Sequence, residues 1–401
     1  MDIVVQKYGG TSVGDLEKIK QVAARIKQKK ESGCRLVVVV SAMGKTTDNL
    51  LSMAYNLSSR PKPRELDVLM STGEQISISL LSIALNEIGC KARSFTGQQV
   101  GIITEGYHTK SKIADINSSI IIEELEKDSV VIIAGFQGVN GNNEITTLGR
   151  GGSDTTAVAL AAKLGAVCEI FTDVDGIYTV DPRIYPNARK LECISYEEMM
   201  EMASLGAGVM HPRSIEIGHK YKVPIYVAMS TGEFPGTFIK ESDDFMEKTV
   251  ITGMAVDNND AMVTVINLPY STRSISRIFQ SLAERHVNVD MISQTTPVNG
   301  LINVSFTIPK NDLAAAMDGL EELKPELGPF GIDTDTAITK LSVVGMGMRT
   351  QSGVAARMFT ALSESNVDLK IITTSEIRIS CAIDPKDQNR AVTAIAKEFD
   401  L

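Results

Sequence analysis

The sequence has few cysteines and no closely spaced pair of them. Its five cysteines are scattered singly, each beside apolar residues, as a small hydrophobic side chain would be: Cys34, Cys90, Cys168, Cys193 and Cys381. Disulfide frameworks and structural zinc sites use paired or clustered cysteines. The sequence therefore predicts neither kind of site.

Histidine is also scarce, with four residues in the chain. Only His211 and His219 have a spacing that would place them on one face of a helix, and no third ligand lies near them in the sequence. The sequence therefore predicts no metal centre.

The chain has no excess of positive charge. Its formal net charge is -9 and its pI is near 5.2, so its average surface repels phosphate backbones and anionic lipid. The one compact basic segment, residues 60–64 (RPKPR), contains two prolines and is typical of a stiff exposed loop. We expect neither nucleic acid nor a membrane as a partner.

Long apolar runs are absent as well. No stretch approaches the length of a membrane span, and the first residues lack the cationic start and apolar run of a signal peptide. We expect a cytoplasmic protein.

What the sequence does contain is a regular alternation of strand-like and helix-like segments, with 43% hydrophobic residues overall. Short β-branched runs alternate with helical patterns up to about residue 235, and buried parallel strands give such runs because helices cover both faces of the sheet. We therefore predict a doubly wound, mainly parallel α/β domain over residues 1–235, followed by a linker over 236–249.

The remainder contains an internal repeat. Residues 278–282 align with residues 358–362 at an offset of 80, and the register holds from Val287 on Val367 to Ile292 on Ile372. This pattern predicts two ferredoxin-like βαββαβ domains, over 250–330 and 331–401. A strand predicted at 250–256 could pair with the second of them and so interleave the two.

Residues 7–14 (KYGGTSVG) join the first predicted strand to the first helix. Adjacent Gly9 and Gly10 would let the backbone approach phosphate oxygens, and Lys7 would add a positive charge. The segment matches neither a P-loop nor a Rossmann fingerprint. It indicates a phosphate-binding turn, with an ordinary tight turn as the alternative.

Two further segments place polar groups in apolar surroundings. Residues 41–48 (SAMGKTTD) carry hydroxyl groups and a glycine at the carboxyl end of a strand, where doubly wound sheets bind ligands; Thr47 or Asp48 would otherwise be a helix N-cap. Residues 71–74 (STGE) interrupt a helical run with a glycine and place Glu74 among apolar side chains. A buried carboxylate needs a cation, which a substrate ammonium or a structural Lys or Arg would supply.

Residues 148–156 (LGRGGSDTT) lead directly into an apolar helix. An arginine between glycines, followed by hydroxyl groups and an acid at a helix N-terminus, suits a carboxylate and a transferring phosphoryl group together. Ser153 or Asp154 as a simple N-cap is the alternative, but it leaves Arg150 unexplained.

Residues 171–183 (FTDVDGIYTVDPR) follow another predicted strand. Such a loop would place Tyr178 against a flat base, an acid on a ribose or on magnesium, and Arg183 on phosphates. The alternative is a turn-rich connection without a ligand.

Taken in order, the segments that begin at Lys7, Ser41, Ser71, Gly149 and Thr172 resemble the amino-acid kinase family and, within it, the aspartokinases. The later segments, 253–254 and 343–359, are similar to the tandem ACT regulatory domains of that family, so the resemblance covers essentially the whole chain. It implies phosphorylation of the side-chain carboxylate of L-aspartate, with ATP and Mg²⁺ as cofactors. It also implies lysine and/or threonine as effector and a homodimer or homotetramer formed through the ACT domains.

The resemblance assigns a role to each site residue. It implies catalytic roles for Lys7 and Asp154. It implies aspartate binding by Thr47, Glu74, Arg150 and Ser153, with the arginine on the α-carboxylate and the glutamate on the ammonium. It implies nucleotide binding by Lys7, Gly9, Gly10, Ser41, Thr172, Asp173, Tyr178 and Arg183, and effector binding by Asp290 and Ser293.

One position departs from the family pattern. Gly208 stands where many aspartokinases have a lysine before a His-Pro pair, which leaves one nucleotide-phosphate contact absent or replaced. This gives some support to an alternative function as a non-catalytic amino-acid sensor, whereas Lys7, Glu74, Arg150 and Asp154 favour an active enzyme. The paired ACT-like repeat argues against kinases for glutamate, acetylglutamate, carbamate or nucleotides.

Overall fold

The computed structural model describes residues 2–206, 208–232, 234–241 and 250–401. They form two compact units, the first from residues 2–177, 190–204, 208–232 and 234–241, the second from residues 178–189, 205–206 and 250–401. Residues 242–249 of the predicted linker lie outside the described residues.

The first unit contains strands and helices in close alternation. In chain order they are β1 (Ile3–Tyr8), α1 (Leu16–Glu31), β2 (Arg35–Val40), α2 (Thr46–Leu57), α3 (Pro63–Glu87), β3 (Ala92–Phe95), β4 (Ile102–Glu105), β5 (Lys112–Ile116), α4 (Ser119–Glu126), β6 (Val130–Ala134), β7 (Gln137–Val139), β8 (Ile145–Thr147), α5 (Gly152–Leu164), β9 (Val167–Thr172), β10 (Cys193–Ser195), α6 (Tyr196–Ser204), α7 (Pro212–Tyr221), β11 (Ile225–Met229) and β12 (Thr237–Lys240).

The core of this unit is an eight-stranded sheet in the order β10-β12-β11-β9-β1-β2-β6-β3. All its neighbours are parallel except β11 and β12. The central strands β2 and β6 are buried almost throughout, because helices cover both faces. The predicted doubly wound, mainly parallel sheet is confirmed, and β12 adds a strand within the range 236–249.

A small second sheet, in the order β5-β4-β7-β8, lies in the same unit. Its strands have only three to five residues each. The sequence gives no indication of this sheet, because such short strands leave little periodic signal.

Helix α3 runs without a break through Gly73. The interruption expected at residues 71–74 is wrong: a Cβ at position 73 would lie 2.8 Å from the Ala42 Cβ, so glycine serves close packing there. Among the described residues, α3 is the one helix with the length and hydropathy of a membrane span. It carries buried Asp67 and Glu74 and packs inside the unit, as the core helix of a folded domain does.

The second unit contains two four-stranded sheets and the helices that cover them. Its elements are β13 (Gly253–Asp257), β14 (Asp260–Pro269), α8 (Thr272–Glu284), β15 (Ile292–Gln294), β16 (Leu301–Pro309), α9 (Leu313–Glu321), α10 (Lys324–Leu327), β17 (Gly331–Asp335), β18 (Thr339–Val344), α11 (Val354–Glu364), β19 (Leu369–Thr374), β20 (Arg378–Ile383) and α12 (Gln388–Phe399), with 3-10 turns at Lys310–Asp312, Met346–Arg349 and Pro385–Asp387.

Both sheets are antiparallel, in the orders β15-β16-β14-β17 and β13-β18-β20-β19. The sheet that contains β14 is built from one continuous stretch, residues 260–335, in which β17 pairs with β14. The other sheet takes one strand from outside its own stretch, because β13, which precedes residue 260, pairs with β18. The predicted pair of ferredoxin-like domains is confirmed. The repeat is visible in the cores, where Ile278 of α8 and Met358 of α11 are both fully buried.

Candidate active site

Four neighbouring strands of the large sheet, β9, β1, β2 and β6, lead to most of the predicted site segments. Lys7 lies near the end of β1, Ser41 follows β2, Gly135 follows β6, and Thr172 ends β9. Because these strands are parallel, their carboxyl ends share one edge of the sheet, where ligands bind in doubly wound folds. The structure brings these segments together.

Lys7 and Asp154 form an ion pair at this edge. The Lys7 Nζ lies 2.7 Å from the Asp154 Oδ1, and both side chains are mostly buried. Asp154 belongs to the first turn of α5, so the pair links the end of β1 to a helix N-terminus. The two residues predicted to be catalytic thus contact each other.

The glycine-rich turn after β1 packs directly on the loop after β2. The Gly44 amide donates to the Gly10 carbonyl at 2.9 Å, and a Cβ at position 10 would lie 2.6 Å from the Ala42 carbonyl oxygen. Gly9 is also close to the charge, since a Cβ there would lie 3.4 Å from the Lys7 Nζ. Only glycine at position 10 allows this approach of the two backbones.

Glu74 is a buried carboxylate with an unsatisfied oxygen. It is 3% exposed, its Oε1 accepts a hydrogen bond from the Ala42 amide at 3.2 Å, and its Oε2 has no hydrogen-bond partner among the described residues. Burial raises the pKa of Glu74 to about 8. Among the described residues no Lys or Arg forms an ion pair with Glu74, so the structural cation that the sequence left open is not found there and the site favours an incoming cation.

The helix-capping alternatives are wrong in both places. Helix α5 begins after Gly151, which has a φ of 66° and no side-chain cap, so Ser153 and Asp154 lie inside the first turn. Helix α2 begins at Thr46, with no side-chain cap from Lys45, so Thr47 is likewise inside its first turn. Ser153 packs against the end of β6, where a Cβ at Gly135 would lie 2.7 Å from its Oγ.

The backbone on both sides of Arg150 is tightly held, while its side chain is exposed. Gly149 and Gly151 both have left-handed φ values, 78° and 66°. A Cβ at position 151 would overlap the His211 side chain, and Arg213 donates to the Leu148 carbonyl at 2.6 Å. The backbone from which the Arg150 side chain extends is therefore fixed.

His211 and Arg213 are residues that the sequence analysis did not assign to the site. The His211 Nδ1 accepts a hydrogen bond from the Arg213 amide at the start of α7, and burial and the Arg213 charge lower the pKa of His211. The imidazole is therefore neutral near pH 7. Its position one residue before Pro212, at a helix start, is the only local signal that the sequence offers.

The predicted nucleotide residues divide between the two units. Thr172 and Asp173 belong to the first, where the Thr172 hydroxyl donates to the Asp173 carboxylate at 3.0 Å. Tyr178 and Arg183 belong to the second, where Arg183 pairs with Asp181 at 2.7 Å and holds the pKa of that carboxyl below its usual value.

The predicted effector residues lie beside the junction of the two small sheets in the second unit. Ser293 belongs to β15, and Asp290 precedes it. The Asp290 carboxylate lies 2.8 Å from the Lys340 Nζ, which extends from β18 of the other sheet.

Comparisons with known proteins cover both units. The model of the amino-acid kinase family matches residues 2–229, and an ACT domain model matches residues 274–323 and 341–399. Aspartokinase 2 of Bacillus subtilis is 47% identical over 402 residues, which is 100% of this chain and 98% of that protein.

Two solved structures of E. coli aspartokinase III share the fold at 24% identity and cover 100% of both chains. One, in complex with aspartate and ADP (R-state), superposes with a TM-score of 0.83. The other, in complex with lysine and aspartate (T-state), superposes with a TM-score of 0.79.

Proposed function

Because this chain belongs to the amino-acid kinase family, and within it to the aspartokinases, we propose that it transfers the γ-phosphoryl group of ATP to the side-chain carboxylate of L-aspartate. The product is 4-phospho-L-aspartate, the activated first intermediate on the way to lysine, threonine and methionine. As an aspartokinase it uses ATP, and the paired ACT sheets supply its regulatory unit.

The observation that carries the amino-acid half of the site is the unsatisfied Glu74 Oε2. A buried carboxylate without a partner is costly, and a substrate ammonium would supply both the charge and the hydrogen bond that it lacks. Arg150 then binds the α-carboxylate through its planar fork, with Thr47 and Ser153 completing the aspartate contacts.

The nucleotide half depends on the turn after β1. The Gly10 amide and the Lys7 ammonium bind the ATP phosphates, with Ser41 beside the transferring group. The Gly9 amide, expected to join them, already donates to the Phe171 carbonyl at 3.1 Å, so Gly9 contributes by allowing close approach rather than by its N–H. Thr172 and Asp173, which lie in the same unit as this turn, bind the remainder of the nucleotide, whereas roles for Tyr178 and Arg183 stay predictions from the family resemblance.

The chemical step needs no general base. A side-chain carboxylate has a pKa of about 4 and is already ionised at neutral pH, so it can attack phosphorus directly. The work of the protein is to bring two anions into line and to stabilise the charge on the transferring oxygens. Lys7 supplies that charge, and Asp154 orients it.

Magnesium fits this site as a companion of ATP. Among the described residues, no group of three or more His, Cys, Asp or Glu side chains is arranged to hold a metal ion. Mg²⁺ is usually bound by substrate phosphates, waters and one or two carboxylates, a mode for which exposed Asp173 is available. When bound, it would neutralise phosphate charge.

The activity is tested by ADP release with Mg-ATP and a panel of aspartate, glutamate and acetylglutamate, with hydroxylamine to trap an acyl phosphate. We expect turnover and hydroxamate with aspartate alone. No ADP release with any of the three substrates would favour the function as a non-catalytic amino-acid sensor instead. Arg150→Ala tests the aspartate site, and we expect it to raise the KM for aspartate while leaving the KM for ATP unchanged.

Regulation follows from the paired ACT sheets. We propose feedback control by lysine and/or threonine, with Asp290 and Ser293 among the effector contacts, in a cytoplasmic homodimer or homotetramer. Initial rates with each amino acid at millimolar concentration test this proposal, and rates unchanged by both would remove it.

A further inference from the structure

One face of helix α3 carries three buried polar residues at helical spacing: Asp67, Ser71 and Glu74. Glu74 has its place in the proposed amino-acid site, and Ser71 accepts a hydrogen bond through its carbonyl from Gln137 at 2.9 Å. Asp67 is 0% exposed and has no role in the site as described so far. Burial of a carboxylate costs free energy unless it is hydrogen-bonded, so the partners of Asp67 indicate its structural role.

The Asp67 carboxylate collects three donors from two different segments. The Thr147 hydroxyl donates to its Oδ1 at 2.6 Å, the Thr109 amide donates to both oxygens at 3.0 and 3.1 Å, and the His108 Nδ1 lies 2.6 Å from its Oδ2. Thr109 has a φ of 67°, which a β-branched residue rarely adopts. These contacts therefore hold a loop in a conformation that it would not keep alone.

Both segments lead to the backbone of Arg150. Thr147 ends β8, three residues before Arg150. The Thr109 carbonyl faces Gly149, where a Cβ would lie 3.0 Å from that oxygen. Since the exposed Arg150 side chain extends from this backbone, a shift of either segment displaces the point from which the guanidinium reaches a substrate.

We infer that Asp67 is a positioning residue for substrate binding, which sets the affinity for the amino-acid carboxylate by fixing the Arg150 backbone through Thr147 and Thr109. The inference rests on the proposed role of Arg150. Helix α3 then serves both ends of the amino-acid site. It carries Glu74, which binds the substrate ammonium, and through Asp67 it positions the backbone of Arg150, which binds the substrate carboxylate.

The test compares two buried threonine hydrogen bonds of the same small sheet. Thr147→Val removes the bond to Asp67 with little change in shape. Thr104→Val removes the bond between the Thr104 and Thr146 hydroxyls, 2.5 Å apart and buried, which does not involve Asp67. Kinetic constants for aspartate and ATP are measured for both, with thermal unfolding as the measure of stability.

We expect Thr147→Val to raise the KM for aspartate about tenfold, because small misplacements of binding groups are costly, with kcat and the KM for ATP near wild type. Thr104→Val is expected to lower the unfolding temperature similarly and to leave the KM for aspartate unchanged. Equal changes of the aspartate KM in both variants would overturn the inference, because they would show a general effect of stability.

Asp67→Asn completes a double-mutant cycle with Thr147→Val. If the Thr147 bond acts through Asp67, the aspartate KM of the double variant is close to that of Asp67→Asn alone, whereas additive effects would overturn the inference. Arg150→Ala separates the positioning role of Asp67 from the proposed carboxylate-binding role of Arg150. If it raises the KM for aspartate and Thr147→Val does not, the positioning role alone fails; if Arg150→Ala itself has no effect, the proposed carboxylate site fails with it.

Discussion

The Lys7 Nζ lies 2.7 Å from the Asp154 Oδ1, although 147 positions of sequence separate the two residues. Their side chains are only 11% and 13% exposed. A lysine so placed is held in one position before any phosphate arrives, which is the preorganisation that electrostatic catalysis requires. The carboxylate that holds it also limits its conformational freedom, so little entropy remains to be lost in the transition state.

Lys7→Ala is expected to lower kcat by about 100- to 1000-fold, because the ammonium acts on charge that moves during phosphoryl transfer. The KM for aspartate should change little. Steady-state rates with each substrate varied measure both constants. Lys29→Ala is the matched control, since it breaks an ion pair of the same 2.7 Å length with Glu169 in the same unit; an unchanged kcat in Lys7→Ala would exclude the catalytic role.

Aspartate affinity should depend on pH through Glu74, whose pKa burial raises to about 8. Only the ionised form binds an ammonium, so affinity should fall as the pH decreases below 8, by up to about tenfold per pH unit. It should level off above that pH. Calorimetric titration with aspartate from pH 6.5 to 8.5 measures this, and Glu74→Gln should bind weakly with no such slope. A pH-independent dissociation constant in the wild-type protein would contradict the assignment.

Gly10→Ala should disturb the nucleotide site, because the added Cβ would lie 2.6 Å from the Ala42 carbonyl oxygen. We expect a loss of about 1–3 kcal/mol in the free energy of unfolding and a higher KM for ATP. Gly141→Ala is the control, since its Cβ would meet nothing within 4 Å. Denaturant unfolding and ATP saturation curves measure the two effects, and a wild-type KM for ATP would show that the turn tolerates displacement.

Lys340→Met should destabilise the second unit. The Lys340 ammonium lies 2.6 Å from Asp260 and 2.8 Å from Asp290, and its side chain is only 4% exposed. Burial alone would lower its pKa, but the two carboxylates raise it, so it remains charged. Removing it leaves Asp260 without its cation and Asp290 with only the more distant Arg378, at 3.8 Å, at a cost of about 3 kcal/mol.

Urea unfolding measures that loss, with Lys386→Met as the control for a surface pair with Asp384. The control should change stability by less than about 1 kcal/mol. Similar values for the two variants would show that the buried pair contributes no more than an exposed one.

Strands and site residues could be predicted from the sequence where the local environment restricts the residue type. The strands β2 and β6 consist mostly of valine and isoleucine because both faces of the sheet are covered, and that composition is visible without a structure. Gly10 and Arg150 were found in the same way, since adjacent glycines or an arginine between glycines have few structural reasons to occur.

What remained hidden depends on contacts between distant segments. Asp67 looks like any polar residue on a long helix until Thr147 and His108 are seen to converge on it. The relation of His211 to the site is likewise visible only in the structure, where its side chain packs directly against Gly151. The capping alternatives failed for a related reason: a left-handed glycine, rather than a side chain, begins α5.

The separation of β13 from the other strands of its sheet bears on how the chain acquires its structure during synthesis. Strand β13 leaves the ribosome before β14, yet its partner β18 follows only after the whole of the first repeat. The first sheet can close once β17 has been made, while β13 keeps an unpaired edge until later. The sheet that contains β13 is therefore not a separable module, because the whole of the other sheet lies between its strands in the sequence. A truncation between residues 309 and 331 would remove β17 from that other sheet and would leave β13 without its partner β18.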